Sequence, residues 1–233
     1  MSCAARFRRP LVVIGVVAAA LAVAVAIPRG GHGARLRPGE AGEEHEATRV
    51  IHGAICGFER WPVKTLSDPQ AREVEFVPHP ATVRYLGSLP ARPGGQDSRG
   101  PLETRTFAVQ ARLVAVKRED DSDYHLVLAA GGASIIAEMP LVGCTAGAQH
   151  RYAMSAARSE LERALGGPVG NSWIHPRLQV RVTGVLFFDF PHGQFGHARN
   201  YAELHPVVSF RVYGRSGGRV KAACASCRLS LSL

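Results

Sequence analysis

Alternating apolar and polar positions divide the central part of the chain into predicted strands. Apolar side chains recur at every second position along residues 107–115, 124–128 and 178–188. Residues 134–139 form a shorter apolar segment, and residues 204–212 carry a further apolar face. A period of two is typical of strands that bury one face of a sheet. The pattern therefore predicts five strands.

Between the third and fourth strands the period changes to that of a helix. One face of residues 150–165 is apolar, and it consists of Met154, Ala157, Leu161 and Leu165. Gly166 and Gly167 end this segment. The predicted order is β-β-β-α-β-β, which is the order of elements in an OB-fold, a small and partly open barrel. We predict a mainly β fold, a five-stranded OB-fold-like barrel, over residues 102–213.

Residues 1–27 have the pattern of an export signal. A basic region with Arg6, Arg8 and Arg9 precedes an apolar run over residues 11–27, and small residues near its end offer cleavage sites. The run also reaches the lower limit of a membrane span, so an uncleaved anchor is the alternative. In that case residues 11–27 would be the membrane contact. Both alternatives place the rest of the protein outside the cytoplasm, in the periplasm, outside the cell, or anchored and facing outward.

Composition divides the remaining chain into further regions. Residues 28–49, rich in Gly, Arg, Pro and Glu, are predicted to be a flexible linker. Residues 50–101 contain prolines that argue against long regular elements, so we expect an irregular N-terminal lead-in. Residues 214–233, rich in Gly, Ser and Arg, are predicted to be a disordered basic tail.

The net charge of +9 is concentrated at the two ends of the chain. Residues 51–213 hold 17 Lys and Arg against 15 Asp and Glu, a net charge of +2. Non-specific nucleic-acid binding needs a basic stripe on the folded domain. The near-neutral central region therefore disfavours nucleic acid as a partner.

Several blocks of the sequence resemble a family of exported bacterial proteins of unassigned activity, whose members carry an OB-like barrel. The matching blocks include residues 59–65 (ERWPVKT), 121–128 (DSDYHLVL), 187–196 (FFDFPHGQFG) and 203–207 (ELHPV). They occur in order along residues 56–212. The resemblance implies an exported protein with an OB-like barrel, and it implies no activity, because the family has none assigned.

Functional side chains are concentrated between the last two strands and at the start of the last one. The candidate ligand-binding residues there are Asp189, His192, Gln194, Asn200, Glu203 and His205. Glu203 and His205 are two apart on a strand, so they share the face opposite the core. Imidazole and carboxylate suit zinc or another first-row divalent ion, which makes His192, Glu203 and His205 candidate metal ligands. Alternatively, Asp189 caps a turn while Glu203 and His205 fix the loop by hydrogen bonds.

The acidic turn over residues 119–123 offers a second candidate site. Asp121 and Asp123 could bind calcium, but no EF-hand glycine or bidentate Glu follows, so the pattern favours a solvated hairpin tip. In an OB barrel the loops between strands 1 and 2 and between strands 4 and 5 border one binding face. Here these loops are residues 118–123, which are acidic, and 189–202, which are rich in histidine. This pairing favours a cation, a sugar or a protein as the ligand.

The remaining chemistry concerns cysteines and isolated polar residues in strands. Cys56 and Cys144 are the cysteines within the predicted folded region, and export favours disulfides, so we predict that they pair. The spacing of Cys224 and Cys227 in the tail is interpreted as incidental. Glu138 is flanked by apolar residues and is a candidate for burial beside an arginine or a backbone donor.

Two classes of function follow from these patterns. The first is a non-enzymatic binding or interaction module of the cell envelope with no cofactor. The second is a metal-dependent hydrolase with a divalent metal ion and a site at Asp189, His192, Glu203 and His205. The sequence has no nucleophile elbow, phosphate loop or His-Glu-x-x-His motif, which favours the binding module.

Overall fold

The computed structural model describes residues 47–215. The predicted export signal, the linker up to residue 46 and the tail from residue 216, with Cys224 and Cys227, lie outside the described residues. Within residues 47–215, no helix combines the length and the hydropathy that a membrane crossing requires.

The described residues form a mainly β structure, as predicted. The strands are β1 (Thr48–Ile51), β2 (Ala54–Gly57), β3 (Glu75–Ala81), β4 (Arg105–Arg118), β5 (Tyr124–Ala130), β6 (Ala133–Met139), β7 (Leu178–Phe188) and β8 (Ala202–Arg215). The helices are α1 (Trp61–Lys64), α2 (Val83–Leu86) and α3 (Arg151–Leu165), with 3-10 turns at Ala71–Glu73 and Val142–Cys144.

Five of the strands close into a ring-like sheet. β4, β5 and β6 are successive antiparallel neighbours, and β6 pairs in parallel with β8. β8 is antiparallel to β7, and β7 returns to pair with β4 between Thr106 and Leu113. Helix α3 lies between β6 and β7 along the chain. The ladder of β7 and β8 shifts register near Pro206, which has no N–H to donate.

Strand alternation gives the ring its apolar interior. Alternate residues of β5 and β6 point into one core cluster, to which β8 contributes Leu204 and Phe210. Helix α3 packs against the same core through Ala157 and Leu161. The helix ends at Gly166, whose φ of 83° is a left-handed conformation that glycine adopts without strain.

The sheet has six strands instead of the predicted five. β3 pairs in parallel with β4 through His79, Pro80 and Ala81, so the lead-in is more regular than expected. Pro78 and Pro80 concealed this strand, because a proline cannot donate to a ladder. They are accommodated because β3 lies at the edge of the sheet, where one side of the strand needs no partner.

The lead-in is tied to the ring by a disulfide and by buried ion pairs. Cys56 and Cys144 are bonded, with 5.6 Å between their Cα atoms, which confirms the predicted pairing. Trp61 packs with both cysteines, and its Nε1 donates to the Cys144 carbonyl at 3.4 Å. Arg60 donates to both carboxylate oxygens of Glu103 and to the Phe188 carbonyl at the end of β7. The segment containing α1 is therefore fixed against the sheet.

Candidate functional site

The outer face of β5, β6 and β8 carries polar side chains that are nevertheless buried. His125 on β5 lies opposite Glu138 on β6, and the parallel pairing of β6 with β8 brings Glu138 beside His205. We call Asp123, His125, Glu138, Glu203 and His205 the acid–histidine cluster. Each of the five is at most 2% exposed.

His205 has carboxylates at both of its ring nitrogens. Its Nδ1 lies 3.0 Å from Glu138 Oε2 and 3.9 Å from Glu203 Oε2, and its Nε2 lies 3.4 Å from Asp123 Oδ2. Asp123, Glu138 and His205 each offer one ligand atom within 4.8 Å of the atoms of the other two. These three residues could therefore hold one metal ion.

His125 forms the second half of the cluster. Its Nε2 donates to the Phe195 carbonyl at 3.0 Å. Its Nδ1 lies 3.1 Å from Glu119 Oε1 and 3.3 Å from Glu138 Oε1. The two oxygens of Glu138 thus face two different histidines.

Other parts of the same chain cover the cluster. Lys64 of α1 is 2% exposed, and its Nζ lies 3.8 Å from Asp189 Oδ2. The Phe187 ring contacts His205 at 5.6 Å between centroids, and the Trp173 ring meets His125 edge-on at 5.3 Å. The lead-in and the loop regions therefore close this face of the sheet to solvent.

Burial and neighbouring charge act in opposite directions on the pKa values of the cluster. Burial lowers the pKa of His205, but the nearby carboxylates, Glu138 foremost, raise it well above its usual range. Burial also lowers the pKa of His125, but the adjacent carboxylates of Glu119 and Glu138 raise it to about 10. Burial and the charge of Asp189 raise the pKa of Glu203 to about 8. Burial raises the pKa of Glu138, yet His205, His125 and Lys64 hold it well below its usual range.

The close contacts in the cluster are poorly aligned for hydrogen bonding. Within the described residues, no hydrogen bond reaches Asp123 Oδ2, Glu138 Oε1, Glu203 Oε2, His125 Nδ1 or either ring nitrogen of His205. A buried polar group without a hydrogen bond costs about 1–3 kcal/mol. The cluster therefore gathers several buried polar atoms without hydrogen bonds to the described residues, each of which lowers the stability of the fold.

The predicted site residues divide between the cluster and its margin. Glu203, His205 and Asp123 belong to the cluster, whereas Asp189 lies beside Lys64. His192 Nε2 lies 3.7 Å from Asp189 Oδ2, at this margin. In the part of the chain that the structure describes, the group whose ligand atoms are close enough to bind one ion consists of Asp123, Glu138 and His205. His192 does not belong to this group.

Asn200 and Gln194 have places within the packed loop. Asn200 Nδ2 donates to the carbonyls of Leu86 and Leu89, both at 2.9 Å, and its Oδ1 accepts from the Ala202 N–H. Gln194 is 7% exposed. Asn200 therefore holds the loop against α2, with its amide engaged by backbone groups.

The acidic turn is not a solvated hairpin tip. Asp121 and Asp123 are 1% and 0% exposed, and Asp121 Oδ1 accepts from the Asp123 N–H at 2.9 Å. Gly57 of β2 lies so close that a Cβ added there would be 3.0 Å from Asp121 Oδ2. The lead-in, held by the disulfide, thus packs over a turn that its composition alone would place in water.

Sequence patterns did not identify the cluster as a whole. The expected arginine or backbone partner of Glu138 is replaced by His125 and His205. Lys64 was not recognised at all, because it reaches the face from a separate segment of the lead-in. The sequence signal that could have revealed the cluster is the presence of polar side chains at outward-facing positions of otherwise apolar strands.

The open surface carries an arginine-rich depression away from the cluster. A cavity of about 630 Å³ lies between the end of β3, the start of α2 and the outer faces of β4 and β7. It adjoins a depression of about 580 Å³, with which it shares Pro80, Ala81 and Thr82, and one of about 470 Å³, with which it shares Arg84. We call these together the arginine groove, which is lined by Arg84, Arg105, Gln110, Arg181 and Arg199.

Comparison with known proteins gives little further information. No protein-family model matches this sequence, and no curated protein sequence matches it. Among solved structures, the chain is similar to a protein assigned as an aspartyl-tRNA synthetase from Leishmania major Friedlin, with 14% identity and a TM-score of 0.36. That match covers 61% of this chain and 22% of the other chain. At this level it supports no argument about fold or function.

Proposed function

We propose that this protein is an exported, non-enzymatic binding module built on an OB-fold barrel. The ring strands β4, β5, β6, β7 and β8, with α3 between the third and fourth of them, support the barrel assignment. The Cys56–Cys144 disulfide supports export, because such bonds persist in oxidising compartments. The apolar N-terminal segment supports it as well.

The observation that carries the proposal is the arginine groove on an open face. Seven of the 15 acidic residues in residues 51–213 are buried, against four of the 17 basic residues. The solvent-facing surface is therefore more basic than the near-neutral sequence of this region indicates. A basic, concave surface attracts anions and concentrates them locally.

The lining of the arginine groove favours a carboxylate-bearing sugar chain as the ligand. Guanidinium groups bind carboxylates through paired hydrogen bonds, and Arg84 is held at the wall by donating to the Gly131 carbonyl at 2.5 Å. Gln110 supplies amide groups, and the half-exposed Tyr85 ring offers an apolar surface. Three adjoining depressions suit a chain of several sugar units better than a single small molecule.

The geometry gives less support to a metal-dependent hydrolase. Asp189, Glu203 and His205 are at most 8% exposed, so a substrate bond could not reach them without displacement of α1. The face between residues 118–123 and 189–202 was the expected ligand site, and the lead-in fills it. The arginine groove is therefore the preferred location for a ligand.

Binding of polygalacturonate by the purified protein tests this proposal. We expect calorimetric titration at low salt to detect binding, with neutral dextran inert. Arg84→Ala and Arg181→Ala should each weaken binding about tenfold, because each removes a charged hydrogen-bonding partner. Arg163→Ala is the matched control, since that exposed arginine lies on α3 and pairs with Glu160. Absence of binding, or equal losses in all three variants, would refute the proposal.

A further inference from the structure

The acid–histidine cluster contains buried polar atoms that no described protein group satisfies by a hydrogen bond. The nitrogens of His205 lie 3.0 and 3.4 Å from oxygens of Glu138 and Asp123, yet neither contact has hydrogen-bond geometry. A protonated imidazole placed between two carboxylates is expected to point its N–H groups at them. Here the ring and the carboxylates are close without facing one another.

Ligands of a common metal ion have this relationship. With metal–ligand distances of about 2.0–2.1 Å and a tetrahedral arrangement, ligand atoms lie about 3.3 Å apart. Their lone pairs point at the ion, so they approach each other without hydrogen bonding. At His205 Nδ1 the oxygens of Glu138 and Glu203 lie at 3.0 and 3.9 Å, and at Nε2 the Asp123 oxygen lies at 3.4 Å, so contacts at either nitrogen are near this spacing. An ion would use one of the two nitrogens, and one ligand atom from each of Asp123, Glu138 and His205 lies within 4.8 Å of the other two.

We propose that Asp123, Glu138 and His205, with Glu203 beside them, bind one divalent first-row cation such as Zn²⁺. The donor set of one imidazole and several carboxylates suits such an ion. A bound cation would also give a partner to Asp123 Oδ2 and to one ring nitrogen of His205, which lack hydrogen bonds among the described groups. This site is separate from the arginine groove and does not depend on the proposed function.

Surrounding groups already hold the proposed ligands in position. Asp123 Oδ1 accepts from the Leu141 N–H at 3.2 Å, which directs Oδ2 toward His205. Glu138 Oε1 packs 3.3 Å from Nδ1 of His125, and that ring is itself held by donating from Nε2 to the Phe195 carbonyl. Metal ligands are commonly oriented by such second contacts.

The location indicates a structural ion that does not take part in catalysis. The ligands come from the turn before β5, from β6 and from β8, and all are sealed from solvent. Structural metal sites are closed, whereas catalytic sites keep a position open for water or substrate. A cation here would join three segments of the sheet.

Metal analysis of the full chain, followed by thermal unfolding, tests this proposal. After treatment with a chelator, we expect the protein to take up one Zn²⁺ per chain. At zinc concentrations about 100 times Kd, we expect Tm to rise by about 5–10 °C. Glu138→Gln and Asp123→Asn should abolish uptake, whereas His192→Ala, at the margin of the cluster, should retain it. Loss of zinc only in His192→Ala would overturn the assignment.

X-ray absorption spectroscopy of the zinc-loaded wild type keeps the test decisive if the ligand variants fail to fold. The expected coordination shell contains one imidazole with oxygen ligands and no sulfur. A shell with sulfur would place the ion at cysteines outside the cluster and overturn the proposal. So would a wild-type chain that takes up no zinc or gains no thermal stability from it.

Discussion

Arg60 and Glu103 form a charged pair that is almost completely removed from water. Their side chains are 1% and 0% exposed, and two short bonds of 2.7 and 2.8 Å join the guanidinium to the carboxylate. The backbone N–H groups of Gly94, Gly100 and Phe188 also donate to this carboxylate. Such complete hydrogen bonding is what makes a buried ion pair tolerable.

This pair predicts a specific loss of stability in acid. Burial raises the pKa of Glu103, but the hydrogen bonds and charge of Arg60 and the backbone donors hold it below its usual 4.5. The folded chain then binds fewer protons than the unfolded chain, so the pair stabilises the fold above pH 4.5 and this contribution disappears as the pH falls through the folded pKa.

Glu103→Gln should therefore be less stable than the wild type by about 3–5 kcal/mol at pH 7, because it leaves Arg60 buried without its counter-charge. The difference should shrink as the pH falls below 4.5, the usual pKa of a glutamate. Urea unfolding at a series of pH values measures it, with exposed Glu73→Gln as the control. A difference that stays constant down to pH 3 would contradict this account.

The residues of the cluster show what a single sequence can and cannot provide. Period-two spacing correctly placed Glu203 and His205 on the face opposite Leu204. It could not place Glu138 beside them, because that contact depends on the parallel pairing of β6 with β8. Such a pairing joins distant segments and leaves no local spacing to detect.

At the scale of elements, local sequence patterns correctly predicted those helices and strands that have one apolar face. The helix predicted over residues 150–165 corresponds to α3 (Arg151–Leu165), and residues 178–188 form β7 as expected. β3 was missed because prolines interrupt its pattern. The acidic turn was misjudged because its burial comes from the lead-in, which is remote in sequence.

The disulfide that holds the lead-in should contribute substantially to stability. Cys56 and Cys144 are 88 residues apart, and closing a loop of that length stabilises a fold by about 4–5 kcal/mol in the chain-entropy model. We expect Cys144→Ser to lose about this much free energy of unfolding. We also expect it to expose the lead-in around α1 to limited proteolysis.

Denaturant unfolding and timed digestion with trypsin measure these two effects. Cys224→Ser with Cys227→Ser is the control, because that pair lies in the predicted tail, and its stability should match the wild type. Unchanged stability and protection in Cys144→Ser would mean that packing by Trp61 alone holds the lead-in.

At the scale of the whole molecule, charge is sorted between interior and surface. The interior takes up acidic residues in the acid–histidine cluster and in the pairs Arg60–Glu103 and Arg99–Asp68. The surface keeps most of the arginines, several of them at the arginine groove. Binding at this groove should therefore depend strongly on long-range electrostatics.

Salt should weaken polygalacturonate binding by the wild type. Raising NaCl from about 50 mM to about 500 mM shortens the screening length severalfold, and we expect at least a tenfold loss of affinity. Calorimetric titrations at intermediate salt concentrations check the trend. The Arg84→Ala variant should show a shallower dependence on salt, and an affinity insensitive to salt would argue against ion pairing in the groove.

Closure of the ring by β4 and β7 affects how copies of this protein meet one another. It leaves β3 as the free margin of the six-stranded sheet, where a neighbouring chain could add a strand of its own. Val77 on this margin is 73% exposed, yet Pro78 and Pro80 interrupt the run of donors that a fibril-like template needs. The same prolines that hid this strand from sequence patterns thus also make the sheet edge a poor template for pairing with another chain.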